Sequence, residues 1–162
     1  MALQAESKAS NVETSLTVWF RAQLVTTAGL TVFVGMDVAT TRPNEWVQLD
    51  YLLGLRADFG GRVGSRFGGR SHGLLQTSLC LKRASMTDVY AMARLQDTVA
   101  TYLQEGQTIP LRDYGTSGGP TSGAIELGAT TANDTDTGLD SGVVVRVLTT
   151  ELMHSTAWSL VS

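Results

Sequence analysis

The first apolar positions of the chain fall at helical spacing: Val12, Leu16, Trp19, Phe20 and Leu24 make one stripe, which predicts an amphipathic helix. Ser10 and Glu13 stand ahead of it at the spacing of a capping box, and Gly29 is its expected stop. The period then changes. Leu30, Val32, Val34, Met36 and Val38 alternate with Thr31, Gly35 and Asp37, as in a half-buried strand, with Phe33 on the other face. Arg42, Pro43 and Asn44 make a turn. Residues 46–56 then carry Val47, Leu49, Tyr51, Leu53 and Leu55 on one face, so this second strand is expected to pair with the first as a hairpin.

Residues 57–72, ADFGGRVGSRFGGRSH, are too rich in glycine to promise a regular element and read as a long excursion. Strand alternation resumes over 74–83 with Leu75, Thr77, Leu79 and Leu81. Ser85 and Asp88 form a second capping pair, before a helix whose core face is Val89, Met92, Leu95, Val99 and Leu103 and whose end is Gly106. Residues 108–114 predict a short strand in which Pro110 suits a sheet margin.

The segment 115–142 is dominated by Gly, Thr, Ser, Asp and Asn and reads as a loop or arm, with only residues 124–127 apolar enough for a strand. Its composition predicts that it orders against a neighbour rather than alone. Val143, Val145 and Val147 alternate in a last strand, and Trp158, Leu160 and Val161 close the chain. This order of elements predicts an α+β fold: a mainly antiparallel sheet with two helices packed on one face, in a single domain over 1–162.

Composition bounds the picture. A chain of 162 residues with 43% hydrophobic residues is long enough to build a core without disulfides, and the single Cys80 excludes an internal one. Cys80 is expected to pack as a small apolar residue on the third strand. No apolar run approaches the roughly 20 residues of a membrane span, and the N-terminal residues lack a secretory layout, so the protein is expected to work where it is made or in something assembled there.

The net charge of -3 hides an asymmetry. Residues 56–83 carry Arg56, Arg62, Arg66, Arg70, Lys82 and Arg83 against Asp58 alone, whereas residues 126–151 carry Glu126, Asp134, Asp136, Asp140 and Glu151 against Arg146. Opposite blocks suit head-to-tail contact between copies or steering of an anionic partner. The plain alternative is two solvated loops of opposite sign.

Catalytic patterns are near misses. Gly64 to Ser71 imitates a phosphate loop with Arg70 in the lysine position, but the sequence that follows is strand-like rather than the helix that would hold phosphate. Gly115-Thr116-Ser117-Gly118-Gly119 matches a nucleophile elbow, with His154 as a distant base, yet Pro120 follows where a helix is required. Asp134, Asp136 and Asp140 lack the glycine and terminal glutamate of a calcium loop, and two histidines with one cysteine make a poor transition-metal set. Phe59 and Phe67 among arginines resemble a nucleic-acid loop without any groove-reading element. No enzymatic activity and no obligatory cofactor are expected.

Several stretches, taken in order, resemble the tail terminator proteins of long-tailed bacteriophages. They are the capped N-terminal helix, YLLGLRADFGGR, GGRSHGLLQTSLCLKR, MTDVYAMARLQDTVATYLQEG, TIPLRDY and the final VVVRVLTTEL. The resemblance covers residues 11–114 and the last strand; the segment 115–142 is longer than the family pattern. It implies a virion protein of the tail or neck, assembled in the host cytoplasm. Such proteins form a six-fold ring that caps the finished tail tube, stops its elongation and offers a surface to the head connector. The implied partners are further copies of the chain, the tail tube protein and the head–tail connector, with DNA passing nearby.

Ring closure requires two different patches to meet, which the charge blocks can supply. Arg62, Arg66 and Arg70 are therefore the expected basic side of a subunit or partner interface, and Asp134, Asp136 and Asp140 the acidic side. Carboxylates are preferred over DNA as their targets, because a passing genome should not be gripped. A head–tail connector or tail-completion protein is the neighbouring alternative. A small nucleotide-binding enzyme using Gly64 to Ser71 is the alternative of another class.

Overall fold

A computed structural model describes residues 2–3, 8–35, 41–63, 66–135 and 142–159, with backbone alone at 2–3, 55–67, 134–135 and 156–159. The elements in chain order are β1 (Ala2–Leu3), α1 (Ala9–Phe20), a π-helical extension (Arg21–Thr27), β2 (Val32–Val34), β3 (Glu45–Val63) and β4 (Arg66–Lys82). They continue through a 3-10 turn (Arg83–Ser85), α2 (Ala91–Ala100), β5 (Thr108–Arg112), β6 (Thr121–Thr135) and β7 (Val143–Ser159). One sheet runs in the order β2, β3, β4, β7, β6, β5, with β1 joined to the end of β7. All pairs except β2 with β3 are antiparallel. The fold is α+β, as the sequence predicts.

The helices share one face of the sheet. Val12, Leu16, Phe20 and Leu24 of the first helix and Met92, Leu95 and Val99 of α2 join one core with Val47, Leu49, Leu75, Leu79, Ile109, Ile125, Leu127, Leu148 and Leu152. The apolar stripe of the first helix repeats every four residues, slightly longer than the 3.6-residue α-turn. The wider π turns over Arg21–Thr27 keep Leu24 buried where a plain α-helix would rotate it away. Gly29, at φ +72°, ends the segment, and the Leu30 N–H closes it on the Leu24 carbonyl at 2.8 Å.

Both expected capping boxes are corrected. α1 starts at Ala9, so Ser10 lies inside its first turn and no side chain caps the end. α2 starts at Ala91, and Ser85 instead donates to the Lys82 carbonyl within the 3-10 turn. Val89 therefore precedes the helix and is 82% exposed, whereas Met92, Leu95, Val99 and Leu103 are buried as expected.

The first two strands do not form a hairpin. β2 lies parallel to β3, with Val32 beside Val47 and Val34 beside Leu49. The return is held on the outer face of the sheet: the Arg42 guanidinium lies 3.9 Å over the Phe33 ring, and Lys82 Nζ donates to the Arg42 carbonyl at 2.6 Å.

The glycine-rich excursion is also corrected. Residues 57–63 and 66–72 continue β3 and β4 as one long antiparallel pair, and β7 runs along β4 as far as Arg66 opposite Ser159. Glycine is costly in a strand for want of side-chain packing. Here β4 is central, with ladder partners on both sides, so the backbone supplies what the side chains do not. Of the loop or arm expected over 115–142, the part at 136–141 lies outside the described residues, and its start is a turn in which the Asp113 N–H donates to the Pro120 carbonyl, with Gly118 and Gly119 at positive φ. Thr121–Thr135 is then strand β6, paired inside the chain's own sheet with β5 and β7. Its threonines, β-branched and suited to a pleated surface, outweigh the polar composition. Pro110 sits on β5 at the sheet margin, as predicted.

Candidate subunit interface

The most prominent feature is a β-arm. Along β3 and β4 the register jumps from Leu52 opposite Leu74 to Arg56 opposite His72, leaving residues 53–55 against Gly73 alone. Gly54 takes φ +72° in this bulge. At the same level β6 and β7 jump from Leu127 opposite Leu152 to Thr130 opposite Thr150, where Gly128 packs on Glu151. Gly73 and Leu152 are themselves paired, so the two irregularities lie on one line across the sheet. Bulges bend and twist strands. On one side of the line lies the helix-backed body. On the other, residues 56–63, 66–72 and 153–159 continue as an arm, flanked by β6 as far as Ile125 opposite His154 and three-stranded beyond it, that β1 joins at its far end.

The arm holds the basic candidates. Arg62 is registered with Phe67, Arg66 with Val63 and Ser159, and Arg70 with Asp58 and Ser155. Position 62 therefore shares a face with 67, and positions 66 and 70 share the opposite one. Arg70 is exposed and makes no hydrogen bond or ion pair among the described residues. It borders a small cleft of about 160 Å³ with Thr108, Glu126, Met153, His154 and Ser155.

The acidic candidates are not all gathered with them. Asp134, at the far end of β6, is registered with Arg146 of its own chain. Arg146 also donates to Gln96 of α2 at 2.7 Å. Asp136 and Asp140 lie outside the described residues. Arg62, Arg66 and Arg70 thus lie towards one end of the sheet and Asp134 towards the other.

The near-motifs gain no supporting context. Arg66 to Ser71 belong to β4, so no helix N-terminus follows the imitation phosphate loop. Ser117 is exposed in the turn between β5 and β6. His154 is buried on β7, registered with Ile125 and Ser71, with Nδ1 3.1 Å from the Ser155 carbonyl. Among the described residues no group of three metal-ligating side chains comes together. No helix among them is long and apolar enough to cross a membrane.

Two other surface features escaped the sequence pattern. Asp88 accepts the Tyr90 N–H at 2.7 Å and both terminal nitrogens of Arg94, at 3.1 and 2.9 Å. These bonds, led by the Arg94 one, hold its carboxyl below the ordinary range. The clasp presents Val89 and Tyr90 to solvent beside a cleft of about 400 Å³ that Leu30, Glu45, Met86 and Leu95 help to line. Val89 is in phase with Met92 and Leu95, which is why periodicity alone assigns it to the core.

The second feature joins α1 to the β5 turn. Buried Asn11 donates to Asp113 Oδ1 at 3.2 Å and accepts the Tyr114 N–H at 3.1 Å, while Ser15 Oγ accepts the Arg112 N–H at 3.0 Å. Its only sequence signal is two polar residues on the buried side of an amphipathic helix.

No known family model matches the chain, and no curated protein is similar to it at a significant level.

Proposed function

We propose that this chain is a structural subunit of a phage tail, forming a ring that caps the tail tube, ends its elongation and receives the head connector. The observation that carries the reading is the arm: a three-stranded continuation of the sheet beyond the helix-backed body, carrying Arg70 exposed and with no side-chain partner among the described residues. A charged arm whose exposed arginine has no partner among the described residues suits contact with another subunit. The acidic end of β6, at the opposite end of the sheet, provides the different patch that a closed ring requires. The resemblance over residues 11–114 supports the identity of the ring.

The test is mass by light scattering together with negative-stain imaging across a salt series. Closed rings are the expected result. Where exposed ion pairs contribute, assembly weakens with salt, since the screening length falls from about 10 Å at 0.1 M to about 3 Å at 1 M. A chain that stays monomeric at high concentration and low salt, and forms no ring with purified tail tubes, overturns the reading.

A further inference from the structure

Besides a short step on β7 between its pairing with β6, which ends at His154, and with β1, which begins at Trp158, two longer stretches of sheet margin lack a strand partner among the described residues. On its outer side β3 is paired by β2 only at positions 47–49, so the arm segment 56–63 presents an open backbone edge. β5 covers the outer side of β6 only as far as Glu126, so residues 131–135 present another. A row of unpaired N–H and C=O groups is a template for strand addition, and natural proteins blunt such edges unless they use them. The third margin is blunted: β5 carries Pro110, and its Arg112 N–H is tied to Ser15. Neither open segment contains a proline.

We propose that copies of this chain join edge to edge, the outer margin of β3 over residues 56–63 in one copy adding to the outer margin of β6 over residues 131–135 in the next. The proposal rests on the ring reading above and states how such a ring is held. The strand directions fit. Successive antiparallel pairing from β3 through β4 and β7 to β6 leaves β3 and β6 running in opposite senses at the two margins. Copies related by rotation about an axis therefore bring these margins together as an antiparallel pair, with one sheet continuing from subunit to subunit.

Charge selects the pairing. The arm carries Arg56, Arg62, Arg66 and Arg70 against Asp58, whereas the end of β6 carries Asp134 and leads to Asp136 and Asp140. Two arms placed edge to edge repel, so an arm is favoured against the β6 end, where Asp134 and the following Asp136 and Asp140 outnumber the Arg146 registered with Asp134. The geometry also constrains the ring. Arg56 is level with His72 and Met153, near the far end of β7, while Asp134 is level with Arg146 near its start. Edges so offset along the strands meet in a closed ring only when the strands are inclined to the ring axis, as in a barrel.

The experiment uses the assembled protein. Arg62→Cys is combined in turn with Thr131→Cys, Asn133→Cys and Thr135→Cys, spanning neighbouring registers within disulfide reach. Each variant is first checked to melt as the parent does. Oxidation of at least one combination is expected to give a reductant-sensitive ladder of covalent oligomers, with single variants giving dimers at most. Hydrogen exchange of the unaltered chain should show amides in 56–63 and 131–135 slowed at least tenfold in rings over dissociated subunits. Rings without a ladder in any combination, and with both margins exchanging as in the free subunit, overturn the edge pairing and leave the ring reading standing. Absence of rings overturns both.

Discussion

A Cβ added to Gly73 would stand 2.7 Å from the Leu52 carbonyl oxygen and 3.3 Å from the Leu53 Cα, both backbone atoms of the facing strand. The bulge that separates arm from body thus exists because position 73 has no side chain. Gly73→Ala forces two backbones apart in a central strand and should cost about 1–3 kcal/mol, the range for overpacking. Gly54→Ala meets no neighbouring atom but must hold φ +72°, at about 1–2 kcal/mol. Urea unfolding of the two variants checks both, and a Gly73→Ala protein as stable as the parent would sink the close-packing account.

Thr77 is fully buried, and its Oγ1 has no hydrogen-bond partner among the described residues. It lies between Leu49 and Leu148 in the layer facing the helices. An unsatisfied buried hydroxyl is costly, and valine has the same shape without it. Thr77→Val should therefore raise stability by about 1 kcal/mol, read as a higher denaturation midpoint with unchanged slope.

How much of this was legible in the sequence depends on what sets each feature. Strands whose two faces differ, such as the one carrying Leu75, Thr77, Leu79 and Leu81, announce themselves by alternation, and all four residues are buried. The arm did not, because its glycines are held by ladder bonds from β3 and β7, and a central position is a property of topology. The parallel placing of β2 likewise rests on backbone bonds to β3 and comes with the stacking of Arg42 on Phe33, contacts that no spacing encodes. The charge blocks were visible as composition. That Arg70 and Asp134 lie at opposite ends of one sheet needed their registers with Ser155 and Arg146, and the same registers mix the rest of the blocks, with Lys82 beside Val143 at the Asp134 end and Glu126 beside the cleft of Arg70.

Two groups, buried Cys80 and half-buried Tyr51, make stability fall at alkaline pH. Burial pushes the Cys80 thiol up from 9.0 to about 11 and the Tyr51 hydroxyl up from 10.0 to about 12, against smaller lowering effects of Arg42 and of the Thr17 hydroxyl 3.1 Å from Tyr51. The folded state holds both protons more tightly than the unfolded chain does. Their contribution is therefore complete below about pH 9 and is lost as pH rises through 11 and 12. Native Cys80, 6% exposed, should react with a thiol reagent at pH 8 at least a hundredfold more slowly than the urea-unfolded chain. Equal rates would show that the outer face around Cys80 opens readily.

Acid acts through the link between α1 and the β5 turn. The Thr116 hydroxyl, then the Gly115 N–H and Asn11, hold the Asp113 carboxyl below its ordinary 3.8. A lowered folded value means that the stabilisation is present above about pH 4 and disappears as pH falls through the folded value. Asp113→Asn should flatten the acid limb of the stability curve. Asn11→Ala, which leaves the Tyr114 N–H without its acceptor, should cost about 1–3 kcal/mol at neutral pH. An unchanged melting temperature for Asn11→Ala between pH 5 and 8 would contradict this.

The arm arginines should separate assembly from folding. Arg70 is exposed, with no partner among the described residues, and Arg62 and Arg66 lie on the arm, beyond the line of bulges from the helix-backed core. Surface substitutions away from caps and buried networks usually stay within about 0.5 kcal/mol each, and 1 kcal/mol shifts the melting temperature of a chain this size by about 2–4 °C. The triple variant Arg62→Ala, Arg66→Ala, Arg70→Ala should therefore melt within about 5 °C of the parent. Its assembly should fail, because three guanidinium forks that would meet carboxylates of the next copy are gone. Replacement of all three by lysine keeps the charge and removes the fork, so partial recovery would assign the effect to charge and none would assign it to bidentate geometry. A triple alanine variant that unfolds as an isolated subunit would instead make these arginines part of the arm's own stability.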